Sequence, residues 1–240
     1  MKAVSVLFAA ASLLTAPAAL AQNAHPLLDA ALARGLDETE ASAWRYTVTA
    51  TTQDGVMVGR FDGAQPIGQE WTLVSPAEAD LSDFQSEIWT GFSRRGENAD
   101  EAAEGYGSGL FFSVDDSDIV PGSFSLAEEA ADLLVFSFEP QLEGNEEIDM
   151  AEHLSGALTV SRDPAVVTQL RMWAPESFKP HFAVRLNTLD IVQEFTQLDG
   201  MPAPVLTRLS QTIRGSAAFQ EFDQSFELVF SEIEYSGPVE

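Results

Sequence analysis

Cysteine is absent from the chain. No disulfide can staple the fold, and no lipid-bearing cysteine follows the apolar N-terminus, so stability must come from a buried core. Cations are scarce: 12 Lys+Arg stand against 38 Asp+Glu, a formal net charge of −26. Such a field repels nucleic acid and anionic headgroups, which excludes nucleic acid as an expected partner. Beyond the first residues no apolar run reaches the ~20 residues that a membrane-spanning helix needs, so no permanent membrane anchor is expected. Histidine is limited to His25, His153 and His181. Disorder is the other reading of strong charge, but 45% hydrophobic residues, 16 of them Phe, suffice for a core.

What is present begins with an N-terminal leader. Met1-Lys2-Ala3 is followed by an apolar run from Val4 to Leu14 and by Ala19-Leu20-Ala21. A positive start, a short apolar stretch and a small-x-small ending are the parts of a secretory signal. They predict export to the periplasm with cleavage after Ala21, so residues 1–21 are the signal peptide. Residues 22–240 then form a single domain, read as a monomer, and loss of Lys2 leaves it one unit more negative.

Leu27, Leu28, Ala31 and Leu32 recur at helical spacing between Pro26 and Gly35, which predicts a short helix. Period-two alternation follows. Trp44, Tyr46, Val48 and Ala50 alternate with polar residues, and Asp54-Gly55 turns the chain into a second strand ending near Phe61. A third strand holds Trp71 and Leu73. Ser75-Pro76-Ala77-Glu78 carries a capping pattern that predicts a helix through about Phe84. Residues 94–108 are polar and glycine-containing and read as a loop. Ser125-Leu126-Ala127-Glu128 fits a short helix before a strand ending near Phe138.

The C-terminal half is a series of alternating strands. Leu154, Gly156, Leu158 and Val160 share a face, as do Val166, Leu170 and Met172. Phe182, Val184 and Leu186 are in one phase, and Leu189, Ile191 and Phe195 in the other; the flip predicts a bulge. Val205, Leu209 and Ile213, then Phe222, Phe226, Leu228 and Phe230, complete the series. A wide antiparallel sheet with one apolar face cannot stay open to water. The expected fold is therefore mainly β: a curved antiparallel sheet, a half-barrel, with a few short helices covering the concave face.

This order of parts resembles the LolA/LolB-like periplasmic lipoprotein carriers. The resemblance is carried by Phe61-Asp62-Gly63-Ala64-Gln65-Pro66, Trp71-Thr72-Leu73, the run from Pro76 to Phe84, and Leu154-Ser155-Gly156-Ala157-Leu158-Thr159-Val160. It implies a non-enzymatic protein that holds a lipid, or the acyl chains of a lipoprotein, within the half-barrel. The side chains expected to line such a cavity are Trp44, Tyr46, Met172, Phe182, Phe226 and Phe230. Large apolar side chains on a curved sheet are equally what any core needs. An envelope scaffold with a filled core and no ligand is therefore the second reading.

A hydrolase is the third. His153 stands beside Glu152 and four residues after Asp149, a spacing that can bring imidazole and carboxylate together on a helix. No nucleophile motif accompanies it, and no catalytic residue is assigned. Gly105-Tyr106-Gly107-Ser108-Gly109 lacks the glycine two residues before the serine that a nucleophile elbow needs. Asp115-Asp116-Ser117-Asp118 offers hard oxygens for Ca²⁺ without an EF-hand's central Gly and closing Glu. No metal and no cofactor are expected.

Overall fold

The computed structural model describes residues 25–35, 41–66, 68–93, 110–113, 119–120, 122–141, 150–218 and 220–237. The leader, the 94–108 segment, the Gly105–Gly109 run, the Asp115–Asp118 cluster and Asp149 lie outside the described residues.

Among the described residues, alternating side chains build eleven strands: β1 (Trp44–Thr52), β2 (Gly55–Asp62), β3 (Trp71–Ser75), β4 (Ser125–Glu129), β5 (Leu133–Phe138), β6 (Ser155–Arg162), β7 (Ala165–Trp173), β8 (Phe178–His181), β9 (Val184–Thr196), β10 (Val205–Ala217) and β11 (Gln220–Tyr235). All join one antiparallel sheet in the order β3-β2-β1-β11-β10-β9-β7-β6-β5-β4, with β8 paired to β9. The sheet is curved and does not close, so β3 and β4 remain as five-residue edges. Short edges limit pairing with other chains, and β4 adds Glu128 and Glu129 to the same end.

Among the described residues two α-helices accompany the sheet: α1 (Pro26–Leu32) and α2 (Asp83–Ser93). α1 forms where the apolar spacing placed it, with Pro at its first turn, and buries Leu28 and Ala31 in the core over β6 and β7. α2 begins later than the sequence pattern suggests. Ser75 is held in the β3 ladder opposite Val58, so it caps nothing. The working capping box is Ser82 with Gln85: the Gln85 N–H donates to Ser82 Oγ, and the Ser82 N–H donates to Gln85 Oε1, both at 3.1 Å. The Ser82 hydroxyl also donates to Asp54 at 2.7 Å, which ties the start of α2 to the β1–β2 turn.

Ser125-Leu126-Ala127-Glu128 is a strand, not a helix. Its residues pair with β5, and the ladder outweighs a local preference of only a few tenths of a kcal/mol per residue. The bulge expected in β9 is present: Arg214 faces Thr188 and Gly215 faces Leu186, which leaves Asn187 as the extra residue. A second bulge lies in β7. Thr159 faces Gln169 while Val160 faces Val167, so Val167, and not Val166, continues the inward phase of Leu170 and Met172.

Candidate functional site

The concave face is the candidate site, since it gathers the residues that composition and phase point to. Its floor is aromatic at one end. Tyr46 stacks on Phe61 with centroids 5.0 Å apart and meets Trp71 and Phe230 edge-on, each at 5.8 Å. Trp44 lies 4.7 Å from Phe111 and 4.8 Å from Tyr235. These rings come from β1, β2, β3, β11 and the 110–113 segment. That segment is tied to β10 at its start: the Leu206 N–H donates to the Leu110 carbonyl at 2.6 Å, and the Phe112 N–H donates to the Pro204 carbonyl at 3.2 Å.

The cover over this floor is made of α1, of Leu110, Phe111 and Phe112, and of Trp89 on α2. Trp89 reaches over Gly59 of β2, where a Cβ would come within 3.0 Å of its ring, and meets Trp71 edge-on at 6.2 Å. Trp44, Tyr46, Met172 and Phe230 are therefore fully packed among the protein's own side chains. Phe226 is half-buried on the same face, opposite Gln211.

Phe182 is elsewhere. It lies in the turn between β8 and β9, 88% exposed, with its ring 4.3 Å from that of His181. The phase shared with Val184 and Leu186 is interrupted at this turn, so the residue expected in the cavity points to solvent. Replacing Phe182 by Ser should change unfolding free energy by less than about 0.5 kcal/mol in urea titration, as for other surface positions. A loss above about 2 kcal/mol would mean that the ring is buried.

A second apolar cluster of Leu154, Phe178, Leu186, Leu189 and Ile213 sits where β8, β9 and β10 run on past β7. His153 belongs to its rim. The exposed imidazole stacks on Phe178 at 4.5 Å and makes no hydrogen bond to a carboxylate or hydroxyl among the described residues. Sequence proximity to Glu152 thus does not become an oriented acid–base pair. His25 caps α1 with its carbonyl, accepting from the N–H groups of Leu28 and Asp29, and its ring meets Phe136 at 5.2 Å. Among the described residues no cluster of three or more His, Asp or Glu is placed to hold a metal ion.

The outer face carries the charge. Arg45 pairs with Asp62, Arg162 with Glu129, Arg171 with Asp190, and Arg214 with Asp223, while Arg208 lies between Glu194 and Glu227. Hydrogen bonds from Gln65 and then Arg45 hold the Asp62 carboxyl below the usual carboxylate range, and one from Ser225 does the same for Asp223, helped by Arg214. These pairs are solvent-screened and contribute little stability each. An open groove of about 530 Å³ on this face is lined mostly by polar side chains such as Thr159, Gln169 and Glu194, and a second of about 420 Å³ is lined by Ser210, Thr212, Ser225 and the paired Arg214 and Asp223 together with Gln211 and Phe226. Neither is an enclosed apolar chamber.

No family model, curated protein or solved structure matches the chain. Its geometry is therefore the main guide to function. Among the described residues no helix is long and apolar enough to cross a membrane.

Proposed function

We propose that the mature protein is a non-enzymatic periplasmic protein of the LolA-like half-barrel type that takes an apolar ligand, a lipid or the acyl chains of a lipoprotein, against its concave face. The observation that supports this is the cover. A broad apolar face is closed by short pieces, a seven-residue helix, the 110–113 segment and one tryptophan from α2. Pieces of this size can move aside more easily than a strand of the sheet, because each buries little area and few backbone bonds hold it. An acyl chain entering beneath them gains about 0.8 kcal/mol per buried CH₂.

The close packing of Trp44, Tyr46 and Phe230 favours a second reading, an envelope scaffold whose core needs no ligand and whose outer face meets a protein partner. Native mass spectrometry of protein purified from its own envelope separates the two. The carrier reading expects a lipid-mass adduct, lost in Phe226→Glu while circular dichroism is unchanged. Protein free of adduct, both as purified and after incubation with envelope lipid extract, would leave the scaffold reading standing.

A further inference from the structure

The concave face is not apolar throughout. Gln193 on β9, Gln211 on β10 and Gln224 on β11 occupy inward positions, in phase with Phe195, Leu209 and Leu228 respectively. Gln211 is directly opposite Ile191 and Phe226, Gln193 is opposite Leu170 and Leu209, and Gln224 is opposite Ile213. The three therefore lie on one diagonal across three adjacent strands, spanning two strand spacings of ~4.8 Å each. Each is half-buried, and among the described residues none of the three side chains has a hydrogen-bond partner. Glutamine offers two N–H donors and a carbonyl acceptor, so the diagonal presents six donors and three acceptor oxygens on an otherwise apolar surface.

The inward positions of β9, β10 and β11 flanking this diagonal carry no Lys, Arg or His. A free carboxylate or phosphate placed there would lose its hydration with no cation to meet it. The molecule's formal net charge of −26 opposes it further. Uncharged carbonyl, ester, amide and hydroxyl groups meet no such cost and match the amides. Pockets of this kind are mostly apolar, with a few polar groups that fix orientation.

We infer that the Gln193–Gln211–Gln224 diagonal is a polar subsite selecting neutral, ester- or amide-linked acyl ligands over free fatty acids. The inference rests on the carrier reading and names its ligand class. The chain lies along the half-buried Ile191 and Phe226, and the linkage lies on the glutamines.

Isothermal titration of the mature protein at pH 7.5 with monodecanoylglycerol and with decanoate tests it, since both probes share one chain and remain monomeric at micromolar concentration. The wild type should bind the neutral ester at least about tenfold more tightly. Gln211→Leu should weaken the ester by about tenfold, the usual consequence of one lost hydrogen bond in a desolvated site, and leave decanoate unchanged. Gln193→Leu and Gln224→Leu should act in the same direction, and thermal melts identify any variant that fails to fold. Decanoate bound as tightly as the ester, or ester affinity unchanged in folded leucine variants, would overturn the subsite and leave the carrier reading intact. Binding of neither probe by the wild type would remove both.

Discussion

Trp44→Ala is expected to lower the unfolding free energy by about 3–5 kcal/mol, measured by urea titration of the protein. The indole is 0% exposed and wedged between Phe111 on the cover and Tyr235 on β11. Removing it leaves a cavity bounded by a strand that cannot collapse, because β1 is clamped between β2 and β11. For a domain of this size, total stability is about 5–15 kcal/mol, so the variant should be close to unfolding at physiological temperature. Trp44→Phe retains an aromatic ring and should lose much less. The same experiment bears on function. If Trp44 faced a preformed ligand chamber, its truncation would cost less than about 1 kcal/mol and would chiefly change ligand uptake. A large loss of stability shows that the floor of the concave face is core when no ligand is bound.

Gly215→Val is expected to cost about 3 kcal/mol, at the upper end of what overpacking usually costs. Gly215 of β10 faces Leu186 across the β9 bulge and Phe222 across β11. A Cβ at this position would run into the carbonyl oxygen of Arg185 and come within 2.8 Å of the Phe222 ring. The ring could turn away, but the carbonyl belongs to the sheet backbone and cannot retreat without loss of the β9–β10 ladder. The melting temperature should fall by about 6–12 °C on the usual scale for chains of this length. Gly91→Ala supplies the opposite sign. Gly91 lies within α2, nothing would meet its Cβ within 4 Å, and alanine should stabilise the helix by about 0.5–1 kcal/mol. Equal melting temperatures for Gly215→Val and the wild type would mean that the β9–β10 packing at the bulge is looser than described.

The sequence by itself determined the elements whose information is local. Alternation along Trp44-Tyr46-Val48-Ala50 and along Leu154-Gly156-Leu158-Val160 fixed strands and their inward faces, because side chains on a strand alternate whatever the strand pairs with. The phase flip between Leu186 and Leu189 marked the β9 bulge for the same reason. Apolar spacing after Pro26 marked α1. Tertiary structure alone decided what depends on partners distant in sequence. Pairing of β1 with β11 joins residues such as Thr47 and Glu232, whose side chains hydrogen-bond at 2.7 Å across 185 positions, and no local pattern specifies that register. The capping pattern at Ser75 lost to the box at Ser82 because a ladder partner claimed the first serine. The turn at Phe182 put a large apolar ring into water, and 110–113 filled space that the strands alone left open. The three glutamines are scattered in sequence at 193, 211 and 224; only the register of β9, β10 and β11 sets them on one diagonal, because lateral neighbours in a sheet are chosen by backbone hydrogen bonds and not by proximity along the chain.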